Sequence, residues 1–135
     1  MAKISQSSTL IAIAYVFGLT SIAFGLNAIF NPVFALTFFE AEYPTTALPS
    51  TKRIIDTLML VYGVRDIFMG FATLVAAYYK VPKVLGPLII ATAGIAIADG
   101  AICYYVNGSG QWNHWPLAPM VFGVGGVFLG WFDRA

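Results

Sequence analysis

Arg65 and Asp66 stand side by side in the stretch VYGVRDIFMG, residues 61–70, which is otherwise apolar. A second carboxylate, Asp99, lies in another apolar stretch, IIATAGIAIADGAICYYV, residues 89–106. An arginine that faces lipid costs at least about 2.5–3.5 kcal/mol, so we expect Arg65 to face protein and to pair with an anion. Carboxyl groups held in such a place can take up and release protons, which is the basis of acid–base chemistry.

The partner of Arg65 is predicted from helix geometry. Neighbouring residues on a helix point about 100° apart, so Asp66 is not expected to face Arg65, and Asp99 is the predicted partner on another helix. Near the middle of a bilayer about 30 Å thick, this pair either forms a functional site or fixes the register of two helices. Both interpretations remain open. Asp66 would then join a network with one of three polar side chains: Tyr62, Asn27 or Tyr104.

The only histidine of the chain lies in a second polar cluster, QWNHWP, residues 111–116. Trp112 and Trp115 are typical of a helix start at a membrane–water interface. That role does not explain Asn113 or His114, and histidine is the side chain that titrates near neutral pH without help. We expect these two residues to form the rim of a pocket, on the same side of the bundle as Glu40, Glu42 and Tyr43.

Together the two clusters define a candidate site for acid–base chemistry on a lipophilic substrate. The predicted catalytic residues are Arg65, Asp66, Asp99 and His114. The predicted substrate-binding residues are Tyr62, Tyr104, Trp112 and Asn113. No metal is expected, because one histidine and a single cysteine, Cys103, do not make a zinc site. No cofactor is expected either, since no glycine-rich phosphate loop follows a strand pattern.

The composition places these residues in a membrane protein. Of the 135 residues, 59% are hydrophobic and 10% are charged, against about 45–50% and about 25% in soluble domains. Such a small share of charged residues cannot cover a globular surface in water. The sequence therefore predicts that the protein lies in a lipid bilayer. The net charge of +1 and the absence of a basic run exclude nucleic acid as a partner.

Four apolar segments are long enough to cross a bilayer, which needs about 20 residues. They cover residues 9–30, 54–79, 84–106 and 115–132 and predict one all-α domain, a four-helix transmembrane bundle. The connection at 31–53, NPVFALTFFEAEYPTTALPSTKR, predicts a short interfacial helix followed by an irregular loop. Asp56, near the predicted start of the second helix, is expected to cap it.

Basic residues predict the orientation of the bundle. With four crossings, one side carries Lys3, Lys80, Lys83 and Arg134, and the other side carries Lys52 and Arg53. Because cytoplasmic loops are enriched in lysine and arginine, both termini are predicted to be cytoplasmic.

Small residues recur at helical spacing in every predicted span, which favours close helix packing in lipid. They include Gly18 and Gly25 in the first span, Gly63 and Gly70 in the second, Gly94 in the third, and Gly126 and Gly130 in the fourth. A compact bundle explains them all. The G-x-x-x-G formed by Gly126 and Gly130 has a second interpretation, self-association into a homo-oligomer.

Three motifs resemble those of a known family: YGVRD at 62–66, ADG at 98–100 and GQWNHW at 110–115. As a set they are similar to a family of small four-helix integral membrane proteins of unknown function, found in fungi and bacteria. The resemblance covers the chain from the first helix to the last and implies no established activity. Some members are encoded beside secondary-metabolite genes, which favours small-molecule chemistry. In architecture alone, the chain is also similar to four-helix sterol isomerase-like and quinone-associated membrane proteins.

The resulting hypothesis is a small membrane enzyme or binding protein for a lipophilic small molecule, with acid–base isomerisation or cyclisation as its reaction class. The alternative is a non-catalytic membrane subunit, scaffold or transport accessory, in which the buried charges only hold the bundle together.

Overall fold

The structure of the chain, a computed structural model, describes residues 4–133, and all regular elements in this range are helices. Two basic residues used to predict the orientation, Lys3 and Arg134, lie outside it. The α-helices are α1 (Ser8–Phe30), α2 (Pro32–Thr37), α3 (Pro49–Tyr78), α4 (Pro82–Asn107) and α5 (Ala118–Phe128). Short 3-10 turns cover Ile4–Gln6, Gln111–Asn113 and Trp115–Leu117.

Three helices, α1, α3 and α4, are long and apolar enough to cross a membrane. They have 23, 30 and 26 residues, and their most apolar stretches have mean hydropathies of 2.0, 1.6 and 1.8. At 1.5 Å per residue each exceeds the bilayer core of about 30 Å. Large apolar side chains on their outer faces, such as Val16, Leu19, Phe68 and Phe71, are more than half exposed. Such a surface suits lipid and not water, so the fold is that of a membrane protein.

The fourth predicted segment, 115–132, differs from the others because its helix is short. Helix α5 has 11 residues, about 16 Å, and a 3-10 turn at Trp115–Leu117 precedes it. Pro116 and Pro119 lack amide hydrogens, which favours an irregular start. At the other end the chain leaves the helix and reaches a left-handed conformation at Gly130, with φ 82°.

The fourth segment nevertheless brings the end of the described chain next to its first residues. Beyond α5, Asp133 accepts hydrogen bonds from the backbone N of Ser5 at 3.0 Å and from its Oγ at 2.6 Å. The predicted G-x-x-x-G stripe is not formed, because Gly126 is covered by Trp131 of the same chain and Gly130 lies beyond the helix.

The helices pack as two close antiparallel pairs, α1 with α3 and α4 with α5. Glycines face each other across both contacts. A methyl group added to Gly25 would lie 2.5 Å from the carbonyl oxygen of Gly63, and one added to Gly63 would lie 2.6 Å from that of Gly25. Gly18 and Gly70 meet in the same way two turns away, and Gly86 meets Gly125 between α4 and α5. These contacts bring backbone against backbone, as small residues allow in lipid.

The two pairs join at what we call the turn end, where residues 79–81 link α3 to α4 and Ser5 meets Asp133. There an apolar core draws on all four long segments and includes Leu10, Ala14, Ala77, Leu85 and Phe128. At the opposite end, the loop end, residues 31–48 and 108–117 cover the bundle. A smaller core there contains Ala28, Ala35 and Met59.

At the loop end the predicted short helix is present, whereas the predicted role of Asp56 is wrong. Asn31 ends α1 and caps α2, since its Oδ1 accepts a hydrogen bond from Phe34 N at 3.3 Å. Asp56 is not a helix cap, because α3 begins at Pro49 and Asp56 is its eighth residue. Its Oδ1 instead accepts a hydrogen bond from the hydroxyl of Tyr43 at 3.0 Å. That hydrogen bond raises the pKa of Tyr43 above its usual value.

Candidate functional site

Arg65 on α3 binds both carboxylates. Its Nη1 and Nη2 donate to Oδ1 and Oδ2 of Asp99 on α4, at 3.2 and 3.0 Å. This two-point contact is the predicted interhelical pair. Arg65 Nε also donates to Asp66 Oδ1 at 3.1 Å, so the expectation that Asp66 does not face Arg65 is wrong. The rule for adjacent residues describes Cβ directions, whereas the long arginine side chain carries its Nε far enough from the backbone to turn toward its neighbour.

This ion cluster lies between the middle of the bundle and the loop end. The facing glycine pairs bring Arg65 level with about residue 23 of α1, seven residues before its end at Phe30. Asp99 lies eight residues before the end of α4 at Asn107. The cluster is therefore about 10–12 Å below the ends of α1 and α4 at the loop end. Helix α3 begins five residues earlier than predicted, so Arg65 is the seventeenth of its 30 residues, and its position near the bilayer midplane stays a prediction.

The face of α4 that carries Asp99 continues toward the loop end. Cys103 and Asn107 follow at intervals of four residues, the spacing that puts side chains on one helix face. Cys103 is 2% exposed, and Asn107 Nδ2 donates to the carbonyl oxygen of Phe39 at 2.8 Å. We call the contact between this face and α3 the seam. The seam joins the two helix pairs, and the loops at the loop end cover it.

Aromatic rings connect the ion cluster to the loop end. The guanidinium carbon of Arg65 lies 4.4 Å from the ring centre of Tyr62, one helical turn earlier, which is a cation–π contact. The ring of Tyr62 contacts Phe39 edge-on with centres 5.1 Å apart. Phe39 in turn lies 5.2 Å from the ring of His114. Three successive contacts therefore lead from Arg65 to the only histidine.

Residues 38–40 and 109–114 form a cover over the seam, which we call the lid. Asn113 Nδ2 and His114 Nε2 both lie 3.1 Å from the carbonyl oxygen of Phe38. A carbonyl oxygen only accepts, so His114 carries its proton on Nε2. Ser109 Oγ donates to Glu40 Oε2 at 2.6 Å. These bonds tie the two loops together and place His114 and Glu40 at the same end of the bundle.

Four predicted residues do not contact the ion cluster: Asn113 and His114 belong to the lid, and the other two lie elsewhere. Tyr104 follows Asp99 by five residues, about 140° further around α4, and is 56% exposed. Trp112 is 69% exposed and contacts Trp115 edge-on, with ring centres 5.9 Å apart. Sequence reasoning missed Phe38 and Phe39, which hold Asn113 and His114 in place. The aromatic run in TFFEAEY, ahead of Glu40, was the available signal.

Trp115 fixes the α4 segment that carries Asp99. Its indole lies against Gly100, where a side chain would collide with it, and its Nε1 donates to Ile97 O at 3.1 Å. Gly100 is the residue after Asp99. The tryptophan therefore docks the start of the fourth segment directly onto the site helix.

Gly100→Ala is expected to displace the Trp115 indole and to destabilise the fold by about 1–3 kcal/mol, because the added methyl group overlaps the ring. The measurement is thermal unfolding in detergent, together with tryptophan fluorescence. Gly94→Ala on the same helix is the control, since nothing lies within 4 Å of a methyl group there. Equal melting temperatures for the two variants would contradict the docking role of Trp115.

With both carboxylates ionised, the ion cluster has a net charge of −1, from one guanidinium and two carboxylates. The Arg65 side chain is 36% exposed, against 14% for Asp66 and 10% for Asp99, so the guanidinium forms the open edge of the cluster. Arginine has five N–H groups, and the hydrogen bonds within residues 4–133 use three of them. In that range no three His, Cys, Asp or Glu side chains gather to hold a metal ion.

An apolar groove of about 360 Å³ lies apart from these charges, between α4 and α5. It is lined by Ile97, Trp115, Ala118, Pro119 and Phe122. Ile97 points about 200° away from Asp99 around α4, so the groove is on another face of the helix. The ion cluster, and not this groove, combines polar groups with access from outside.

Comparison with known protein families gives a match over most of the chain. A family described as a domain of unknown function, DUF4267, matches residues 18–128, which include the YGVRD, ADG and GQWNHW stretches. No curated protein matches the chain, and no solved structure does. Because the match covers most of the chain, from α1 to the end of α5, the protein belongs to the DUF4267 family.

Proposed function

We propose that the protein binds a lipophilic small molecule at the seam between α3 and α4 and exchanges a proton with it. The observation that carries this proposal is a partly exposed guanidinium, paired with two carboxylates, among apolar helices about 10 Å below the lid. Charges in such a place are costly, and residues that only hold helices together do not need to be open to the surroundings.

Each residue has a distinct role in this proposal. Asp99 holds the guanidinium through two bonds, and the two unused N–H groups of Arg65 bind an oxygen of the ligand. Asp66 exchanges the proton, because only one of its oxygens accepts from Arg65. A proton given to one atom of the substrate and taken from another leaves the enzyme unchanged, which fits isomerisation or cyclisation. Three residues complete the wall and rim: Tyr62, Asn113 and His114.

The arrangement in the membrane is part of the same proposal. The chain crosses four times, with the turn end in the cytoplasm and the lid on the other side. Lys80 and Lys83 at the turn end favour this orientation, and the contact between Ser5 and Asp133 supports an even number of crossings. The ligand then enters the seam from lipid on the side of the lid.

A scaffold role is the second candidate, since the Arg65–Asp99 contact joins one helix pair to the other. In that case the ion cluster fixes register and binds nothing. The two functions differ in what the purified protein carries and in how it responds to neutral substitutions of the carboxylates.

The test is extraction of small molecules from protein purified in nanodiscs, with native mass spectrometry of the intact complex. Wild type is expected to carry a lipophilic molecule that Asp99→Asn lacks, while Asp99→Asn still gives a monodisperse folded protein. Glu42→Gln, in the loop between α2 and α3, is the control and should retain the molecule. Should Asp99→Asn fail to assemble, Asp66→Asn takes its place. Retention of the molecule by the folded variant, or its absence from wild type, would support the scaffold role.

A further inference from the structure

With both carboxylates ionised, the ion cluster has a surplus of one negative charge, and it lies where charge is poorly solvated. The positive charge of Arg65 compensates the charge of one carboxylate and leaves the charge of the other uncompensated. In surroundings of low dielectric constant, a lone surplus charge is compensated by a proton or by a bound ion of opposite sign. An anionic ligand would add a second surplus negative charge and is disfavoured.

The lid over the seam adds acceptors, and aromatic rings lie between the lid and the cluster. Glu40 binds Ser109 through one oxygen, on the lid above Cys103, and brings a further negative charge to the seam. Gln111 Oε1, also on the lid, is a buried oxygen with no hydrogen-bond partner within residues 4–133. Oxygen acceptors and the rings of Tyr62 and Phe39 suit a ligand that is positively charged and donates hydrogen bonds.

We propose that the ligand class of this site is a lipophilic amine, bound as its cation with its nitrogen donating to Asp66. This inference rests on the proposed binding function and narrows it to one chemical class. A protonated amine supplies both the missing positive charge and the N–H donors. A quaternary ammonium ion supplies the charge without donors, and a neutral alcohol supplies a donor without the charge.

Binding of the amine involves a balanced proton exchange. In the empty site the surplus charge is compensated by a proton on Asp66. The incoming ammonium ion takes the place of that proton, so the carboxyl group becomes a carboxylate paired with the ammonium, and one proton is released to the solvent. The release is measurable by calorimetry, because the observed heat then depends on the ionisation enthalpy of the buffer.

The experiment compares decylamine, decanol and decyltrimethylammonium by titration calorimetry on the protein in nanodiscs, with empty nanodiscs subtracted for partition into lipid. Decylamine is expected to bind at least about tenfold more tightly than decanol, the effect of one charge-assisted hydrogen bond. Its binding should release about one proton. Asp66→Asn should remove the tenfold preference and the proton release, while it retains the Arg65–Asp99 contact. Glu42→Gln should change neither.

The outcomes separate this inference from the function on which it rests. Equal affinity of wild type for decylamine and decanol, or an unchanged preference in Asp66→Asn, would overturn the amine class. Preference for decyltrimethylammonium over decylamine would also overturn it, since that ion has no N–H group. In each of these cases the proposed function stands if wild type still carries a lipophilic molecule. Binding of no probe, together with no co-purified molecule, would refute both.

Discussion

Replacement of Gly63 by leucine is expected to abolish folding. A single methyl group at this position would already lie 2.6 Å from the backbone oxygen of Gly25, and backbone atoms cannot move aside as a side chain can. The α1–α3 contact would have to open along its length, with Gly18 and Gly70 separating as well. Overpacking typically costs about 1–3 kcal/mol, and a rigid backbone contact puts Gly63→Leu above about 3 kcal/mol.

The measurement is the yield of monodisperse protein from detergent and its melting temperature. Gly94→Leu provides a matched control, because Gly94 also lies inside a long apolar helix but has nothing within 4 Å of its missing side chain. That variant should fold with a stability within about 0.5 kcal/mol of wild type. A folded Gly63→Leu protein, or an equally poor Gly94→Leu protein, would show that the glycine contact does not hold the first helix pair.

Removal of the guanidinium should be the most damaging change at the ion cluster. Arg65→Met leaves two carboxylates close together without a cation, and loss of one partner from a buried ion pair costs about 3–5 kcal/mol. Asp99→Asn is milder, at about 1–3 kcal/mol, because Arg65 keeps Asp66 as an ionised partner and the cluster is neutral. Asp66→Asn should cost least, about 1 kcal/mol, since the two-point contact with Asp99 remains.

The order of these three variants is the test, measured as melting temperatures in detergent. Arg53→Met is the control for the loss of an arginine from the same helix, since Arg53 is exposed near the start of α3. It should leave stability almost unchanged. If Asp99→Asn were as unstable as Arg65→Met, the balance of charge would not govern the stability of the cluster, and the two-point contact alone would explain its contribution.

The Arg65–Asp99 pair was accessible to sequence reasoning because the cost of charge in lipid leaves few arrangements. An arginine within an apolar helix has to find an anion, and the number of carboxylates at a suitable depth is small. The three long helices were accessible for a similar reason, since the bilayer sets their length and composition. The small residues correctly indicated close helix contacts, although not which helices form pairs.

Other features depended on packing that no single segment specifies. The turn of Arg65 toward its neighbour Asp66, the ring contacts through Phe39 and the shortened α5 all arise where separate parts of the chain meet. Glycine spacing alone did not distinguish the pair Gly25 and Gly63, which face each other, from Gly94, which faces nothing.

The amino-acid sequence therefore determined the surroundings of this protein and the charges that must be compensated there, because transfer free energies are properties of residues in a given solvent. The identity of the contacts that compensate them was a matter of tertiary structure. Which side chains share a seam depends on helix pairing and on how the loops cover it, and these follow from the packing of the whole chain.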